Sequence, residues 1–253
     1  MALTRRTMDS TMNPNREARI VADPTRGGRK RELAMNLLDG LNYYKAYSHS
    51  DWQFTLEVER SAREVLSLIA LQGERPDAKA LAAAHHLLMD IEKWKAMCLR
   101  ERMGNAEQNS QRDVWNAFRG AVGAANDVDS ILSIMLLRGF GSSRDEESGQ
   151  RRAKVATAAL RFLKPETWGV VDWRTAAMLG LLIESKGNVD QALLLAKKHN
   201  ARDLREAYDL IDENGACAYN QMYRDRRAPS SFQRTVDVEM AIFGLSLMAW
   251  PMP

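Results

Sequence analysis

Lys154 and Asp172 are the two residues whose types and spacing best suit covalent chemistry. Lys154 begins an Ala-rich helical segment, and Asp172 follows 18 positions later, where the next helix would begin. A carboxylate at a helix N-terminus is favoured in its ionised form, because the free backbone N–H groups carry partial positive charge. An amine is a nucleophile only when deprotonated, which burial or a neighbouring cation favours. The two residues can face one cleft, although a helix cap and a surface lysine are the structural alternatives.

The elements that must position these residues are predicted to be helices. Apolar residues recur at helical spacing from about residue 30 onward, and no alternating β run is present. Asp172, Asn188, Asn200 and Ser148 stand where N-caps would fall, and Gly187 and Gly215 stand where helices would stop. The predicted helices cover 30–47, 51–71, the segment between Pro76 and Gly104, 109–122, 126–138, 149–163, 172–186, 189–199, 201–213 and 234–248. We therefore expect an all-α fold.

The chain of 253 residues is long enough for one large domain or two fused helical lobes. Residues 1–31 hold eight Lys or Arg and three Asp or Glu, so the basic excess of the chain lies there. With Pro14, Pro24 and Gly27 they predict a flexible basic tail, followed by a helical domain over 32–253. The tail is either a solvated terminus or a source of sequence-independent attraction to phosphates.

Several classes of protein are excluded by composition. No apolar run reaches the roughly 18 residues of a membrane span, and the first residues contain no secretory apolar segment. Two cysteines, Cys98 and Cys217, are too few for a disulfide framework or an iron–sulfur cluster. His85 and His86 are adjacent, so on a helix they cannot share one metal. We expect a soluble cytoplasmic protein, monomeric, without metal or cofactor.

The longest interruption of the helical pattern is 139–148, which contains Gly139 and Gly141. Glycines allow a backbone to approach a ligand closely, and Arg138 beside them could meet an anion. An ordinary interhelical loop is the alternative interpretation of this segment.

Residues 153–179 resemble the second half of the catalytic motif of helix-hairpin-helix DNA glycosylases, most closely the 8-oxoguanine glycosylase branch. The family pattern runs from a lysine through a helix to a Leu–Lys–Pro turn and then a Val–Asp pair. Here its elements are Lys154–Val155–Ala156, Leu163–Lys164–Pro165 and Val171–Asp172. The resemblance is clear over roughly 130–182, and the motif with its preceding loop occupies 139–182. It implies a two-lobed helical fold with a central cleft that binds double-stranded DNA.

The resemblance also implies roles for individual residues. Asp172 matches the carboxylate that stabilises positive charge on the sugar, and Lys154 matches the lysine that forms a Schiff base in members with an AP-lyase step. Base excision requires base flipping and a stacking pocket. The stacking candidates are Phe140, Trp115 and Trp173, and the DNA-binding candidates are Arg138, Gly139, Gly141, Arg151, Arg152 and Arg174.

Two departures from the family pattern bear on the substrate. The family has a Gly-rich hairpin that binds a phosphate just before the lysine. The corresponding residues here, 148–153, contain a single glycine, Gly149. Either the 139–143 segment or Arg151 and Arg152 replace it, or DNA binding is lost. A separate alternative to the enzyme is a non-catalytic nucleic-acid-binding module that keeps the fold without turnover. After the aspartate stand Trp173 and Arg174, which favours a bulky or hypermodified base. The implied roles are DNA repair or defence against foreign DNA.

Overall fold

The computed structural model describes residues 35–47, 49–99, 104–141, 153–208, 211–227 and 232–251. The predicted basic tail, Ser148, Arg151 and Arg152 lie outside these ranges. Eleven α-helices and no strand are present in the described part of the chain, which confirms the all-α prediction. The helices are α1 Leu37–Tyr47, α2 His49–Gln72, α3 Ala78–Leu99, α4 Gln111–Gly123, α5 Asp127–Met135, α6 Lys154–Leu163, α7 Trp173–Glu184, α8 Val189–Ala196, α9 Ala201–Ala207, α10 Glu213–Arg227 and α11 Thr235–Ala249. Residues 34–253 form one compact unit.

Helix α11 runs through the core and is buried on almost every side from Thr235 to Leu247. It packs against α1, α7, α8 and α10. The approach to α1 is so close that a Cβ atom on Gly244 would overlap the carbonyl oxygen of Gly40. A helix that is apolar all round must be surrounded by other helices, and α11 therefore joins the N-terminal and C-terminal parts of this unit.

The second half of the core forms around α3 and α6. Helix α3 packs against α2, α4 and α6, and α5 packs against α4 and α6. Eight consecutive residues of α6, from Ala156 to Leu163, are buried, and small alanines at 156, 158 and 159 allow its neighbours to approach. The helix that begins with Lys154 is thus a central element, as the Ala-rich sequence favours.

The predicted caps are largely confirmed. Asp172, Asn188 and Asn200 each accept a backbone hydrogen bond at the start of α7, α8 and α9. Gly187 adopts φ +83° where α7 has ended.

The predicted helix over 201–213 was wrong in its extent, and the helices predicted over 30–47, 126–138 and 189–199 are shorter than expected. The segment 201–213 is helical only to Ala207, and a further helix, α10, begins at Glu213 and carries Gly215 in its first turn. The face that α10 buries consists of Ala216, Asn220 and Tyr223. Because two of these three residues carry polar atoms, the helix has no apolar stripe that periodicity would reveal.

No helix in the described ranges is both long enough and apolar enough to cross a membrane.

Candidate functional site

Asp172 is the N-cap of α7 and is held there by a reciprocal capping box. Its Oδ1 accepts the backbone N–H groups of Arg174 at 3.1 Å and Thr175 at 3.2 Å. The hydroxyl of Thr175 in turn accepts the backbone N–H of Asp172 at 3.0 Å. One carboxylate oxygen is therefore aimed at the positive end of the helix, which stabilises the charged form.

The second oxygen of Asp172 forms an ion pair with Lys95. The Nζ of Lys95 donates to Oδ2 at 3.1 Å, and the side chains are only 6% and 13% exposed respectively. Burial alone would raise the pKa of the Asp172 carboxyl, but the charge of Lys95 and the hydrogen bonds from Thr175 and Lys95 outweigh it. The net pKa lies below the ordinary value for aspartate. The site thus holds a fixed carboxylate that is ionised at neutral pH.

Lys95 is not among the predicted site residues, although the sequence contains a signal for it. On α3 the fully buried positions Ala84, Leu88 and Ile91 recur at spacings of four and three, and Lys95 comes four residues later. A lysine at a core position of an amphipathic helix needs a buried anion as its partner. The pattern indicates the need for a partner, but only the fold shows that the partner is Asp172.

The segment that leads into Asp172 is held by its surroundings at every residue. Three of its backbone N–H groups, those of Gly169, Val171 and Asp172, donate to side chains. The acceptors, in order, are Asn220 of α10 at 3.2 Å, Thr157 of α6 at 3.0 Å and Thr175 of α7 at 3.0 Å. The hydroxyl of Tyr223 also donates to the carbonyl of Val170 at 3.1 Å. Side chains of three helices, α6, α7 and α10, therefore determine where Asp172 stands, and such preorganisation is what an electrostatic catalyst requires.

Lys154 begins α6 close to this segment. The Thr157 hydroxyl donates to the carbonyl of Lys154 at 2.7 Å and accepts the N–H of Val171 at 3.0 Å. A single buried hydroxyl thus joins the first turn of α6 to the residue before Asp172. The structure brings the start of this helix beside the aspartate, while the amine that contacts the carboxylate belongs to Lys95.

A second group of buried charges lies behind the segment. Arg161 is 1% exposed and lies 3.5 Å from Glu239 and 4.0 Å from Glu59, with its guanidinium over the rings of Trp94 and Phe162. Burial and the charge of Asp172 raise the pKa of Glu239, the charge of Arg161 lowers it, and the net value is about 7. The two carboxylates are therefore coupled electrostatically.

Two of the three predicted stacking residues lie in the core. Phe140 and Trp115 are both 0% exposed, and the Trp115 Nε1 donates to the carbonyl of Gly73 at 3.0 Å. Neither ring has a face available to a base in this structure, which corrects the expectation for both. Trp115 lies on α4, which packs against α3 and α5, and sequence spacing does not reveal which helices meet there.

Trp173 is the stacking candidate next to Asp172 and remains half-buried. Its ring lies 5.9 Å from that of Trp250, and the guanidinium of Arg174 lies 4.7 Å above it. Arg174 also donates to the carbonyl of Trp250. The predicted DNA-binding residue Arg174 is therefore part of a Trp–Arg–Trp group beside the carboxylate.

The predicted phosphate-binding glycines have a packing role. Gly139 adopts φ +86°, and a Cβ there would lie 2.5 Å from the Cβ of Asn105. Gly141 adopts φ +135°, and a Cβ there would lie 2.7 Å from the Met135 side chain. The backbone N–H of Arg138 donates to the Asn109 side chain at 2.8 Å. These contacts explain the two glycines by close packing of the 136–141 turn, without a ligand.

A groove on the same unit lies away from Asp172. It is lined by Met35, Asn36, Leu37, Leu38, Leu182, Gly187, Val189 and Arg226. Leu182 lies ten residues beyond Asp172, or about 15 Å at the rise of a helix. The groove thus does not contain the ionised carboxylate. Within the described ranges, no cluster of three His, Cys, Asp or Glu side chains could hold a metal ion.

No protein-family model matches the chain, and no curated protein or solved structure was found to match it.

Proposed function

We propose that this chain is a DNA glycosylase, which removes a damaged or modified base by cleaving its N-glycosidic bond. The fold proposed for it is the two-lobed, glycosylase-like form of the all-α class, with DNA in a cleft between the lobes. The observation that carries the proposal is the state of Asp172, an ionised and rigidly positioned carboxylate in a largely buried site. The resemblance of residues 153–179 to the glycosylase motif supplies the reaction class.

The geometry of Asp172 favours electrostatic stabilisation over base catalysis. Glycosidic cleavage passes through an oxocarbenium-like transition state, in which positive charge develops on the sugar. A carboxylate whose pKa is lowered accepts a proton poorly, but it provides a negative charge that needs no reorganisation. Asp172 would therefore act as the anion opposite the developing sugar cation.

Lys154 is proposed as the nucleophile of a bifunctional enzyme. Its unprotonated amine would form a bond to C1′ while the base departs with the electrons of the C1′–N bond and takes up a proton. Opening of the sugar ring at the C1′–O bond would then produce a Schiff base, from which strand cleavage follows. The support is the position of Lys154 at the start of α6, joined through Thr157 to the residue before Asp172.

The test is base release and strand nicking on duplexes with oxidised, alkylated, deaminated or glucosylated bases. Asp172→Asn should reduce release on the order of 10²-fold or more, by analogy with the loss of other preorganised electrostatic groups. Asp77→Asn is the matched control, because Asp77 caps the exposed start of α3 by accepting the N–H of Ala80 at 2.7 Å. A glycosylase that Asp172→Asn and Asp77→Asn affect equally would contradict the assignment of Asp172.

Borohydride trapping tests the amine separately. We expect a covalent adduct with wild type that Lys154→Gln abolishes and that Lys186→Gln, at an exposed lysine, leaves unchanged. Base release without a trapped adduct would retain the glycosylase and remove the lyase step. Peptide mapping of an adduct to Lys95 would transfer the nucleophile's role to that residue.

One observation favours the alternative of a non-catalytic nucleic-acid-binding module. The Lys95 ammonium lies on Asp172 and neutralises much of the charge that would stabilise a sugar cation. In a binding module Asp172→Asn would leave DNA affinity intact and no substrate of the panel would release a base.

A further inference from the structure

The turn between α8 and α9 presents two neighbouring lysines to solvent. Lys197 and Lys198 are both exposed, as is His199 after them. Among the residues that the structure describes, neither lysine has an ion-pair partner, whereas Arg202 on α9 is paired with Glu206 at 3.0 Å. The two ammonium groups are thus a concentrated positive charge that internal anions do not neutralise.

This turn is attached to the candidate site by direct contacts. The indole Nε1 of Trp250 donates to the carbonyl of Ala196, the residue before Lys197, at 3.2 Å. The ring of Trp250 packs on that of Trp173, which follows Asp172 in sequence. Two contacts therefore connect the lysines to the start of α7, and Trp250 holds the turn at a set position beside the site.

The backbone of the turn is not available to bind an anion. The N–H groups of Lys197, Lys198 and His199 donate to carbonyls of α8 at 3.2, 2.9 and 3.1 Å. An anion at this surface would be bound by the ammonium groups as point charges. A hairpin that grips phosphate through its amides works differently, and its sequence signature is lacking at residues 148–153.

We infer that Lys197 and Lys198 form a contact surface for the phosphate backbone of duplex DNA, flanking the nucleotide at Asp172. The inference rests on the proposed function, since it supplies the electrostatic contacts that a glycosylase without the Gly-rich hairpin needs. Such contacts are independent of base sequence and release condensed counterions, so their signature is the dependence of affinity on salt.

The experiment measures the affinity of the full chain for an unmodified duplex by fluorescence anisotropy over a series of NaCl concentrations. Each lost phosphate contact reduces the slope of log K against log salt by about 0.9, so Lys197→Gln/Lys198→Gln should reduce it by about 1.8. If wild type and the double variant bind equally at 1 M NaCl, this difference in slope corresponds to roughly 60-fold weaker binding by the double variant at 0.1 M NaCl. The matched control is Arg75→Gln/Lys79→Gln, which removes two exposed cations near the start of α3.

A chemical substitution in the DNA provides the second arm. In a duplex that carries a base which the enzyme releases, neutral methylphosphonates at the phosphates flanking that base should weaken binding by wild type and by the control variant. They should have no further effect on the Lys197→Gln/Lys198→Gln variant, because the contact is already absent. Thermal unfolding of each variant establishes that folding is retained.

The possible outcomes separate this inference from the proposed function. If base release depends on Asp172 but the salt slope is unchanged in the double variant, the lysine contact surface is contradicted and the proposed glycosylase activity is supported. If the double variant has a reduced salt slope but no substrate releases a base, the lysine contact surface is supported and the proposed glycosylase activity is contradicted. A wild type that binds no DNA at low salt would overturn both.

Discussion

Replacement of Lys95 by methionine tests the central ion pair of the site. The substitution keeps most of the apolar volume of the side chain but removes the ammonium partner of the Asp172 carboxylate, which is 13% exposed and keeps only the hydrogen bonds to Oδ1 from residues 174 and 175. Removal of one partner of a buried pair costs about 3 kcal/mol or more, since the remaining charge is uncompensated. We expect the free energy of unfolding of Lys95→Met at pH 7 to be lower than that of wild type by about this amount.

The pH dependence follows from the sign of the Asp172 shift. In wild type its pKa is below the ordinary value, so the pair contributes stability above that value and loses it as pH falls through the folded pKa. In Lys95→Met the carboxyl is expected to titrate at a higher pH. The difference in stability between the two proteins should therefore be largest at neutral pH and shrink as pH falls from the folded pKa of the variant's carboxyl to the lower one of wild type.

The assay is urea unfolding at pH 7 and in the acid range, with Lys93→Met as the control. Lys93 lies on the same helix, is exposed, and contacts the Phe54 ring at 5.1 Å, so its replacement should cost less than about 0.5 kcal/mol. The double variant Lys95→Met/Asp172→Asn should be more stable than Lys95→Met, because it leaves no charge without a partner. Equal effects of the two single substitutions, or a difference that does not change with pH, would refute the reasoning.

Three further predictions concern the residues around the site. Between pH 4.5 and about 7 native Glu239 keeps a proton that the unfolded chain has lost, so the stability of wild type should fall as pH rises through this range. Glu239→Gln should remove this fall, which urea unfolding at pH 5 and pH 8 measures. An unchanged pH profile would contradict the raised pKa. Thr157→Val should cost about 1–3 kcal/mol in urea unfolding, because the buried N–H of Val171 loses its acceptor, whereas Thr157→Ser should cost much less. Gly139→Ala should destabilise by about 1–3 kcal/mol because of its φ of +86° and the contact with Asn105, whereas Gly123→Ala, which meets open space, should not. Loss of DNA affinity by Gly139→Ala at unchanged stability would instead support a phosphate site.

Helix caps and the all-α class could be predicted from the sequence, because both depend on residues that are near one another in the chain. Asp172, Asn188 and Asn200 are N-caps because a short polar side chain can satisfy the N–H groups two or three residues ahead, whatever surrounds it. The all-α class follows from apolar spacing in the same way. Helix α10 was missed because its buried face uses Asn220 and Tyr223, whose polar atoms find partners only in the folded chain.

The features of the candidate site also separate into those that local sequence determines and those that depend on tertiary packing. The sequence alone determined that Asp172 would stand at a helix start with its charge favoured, and that α6 would begin near Lys154. Only the tertiary structure decided that Lys95, 77 positions away, pairs with this carboxylate, and that Phe140 and Trp115 are buried. The physical reason is the sequence separation over which each interaction acts. Capping and helical periodicity act within one or two turns, whereas ion pairing and burial depend on which helices pack together.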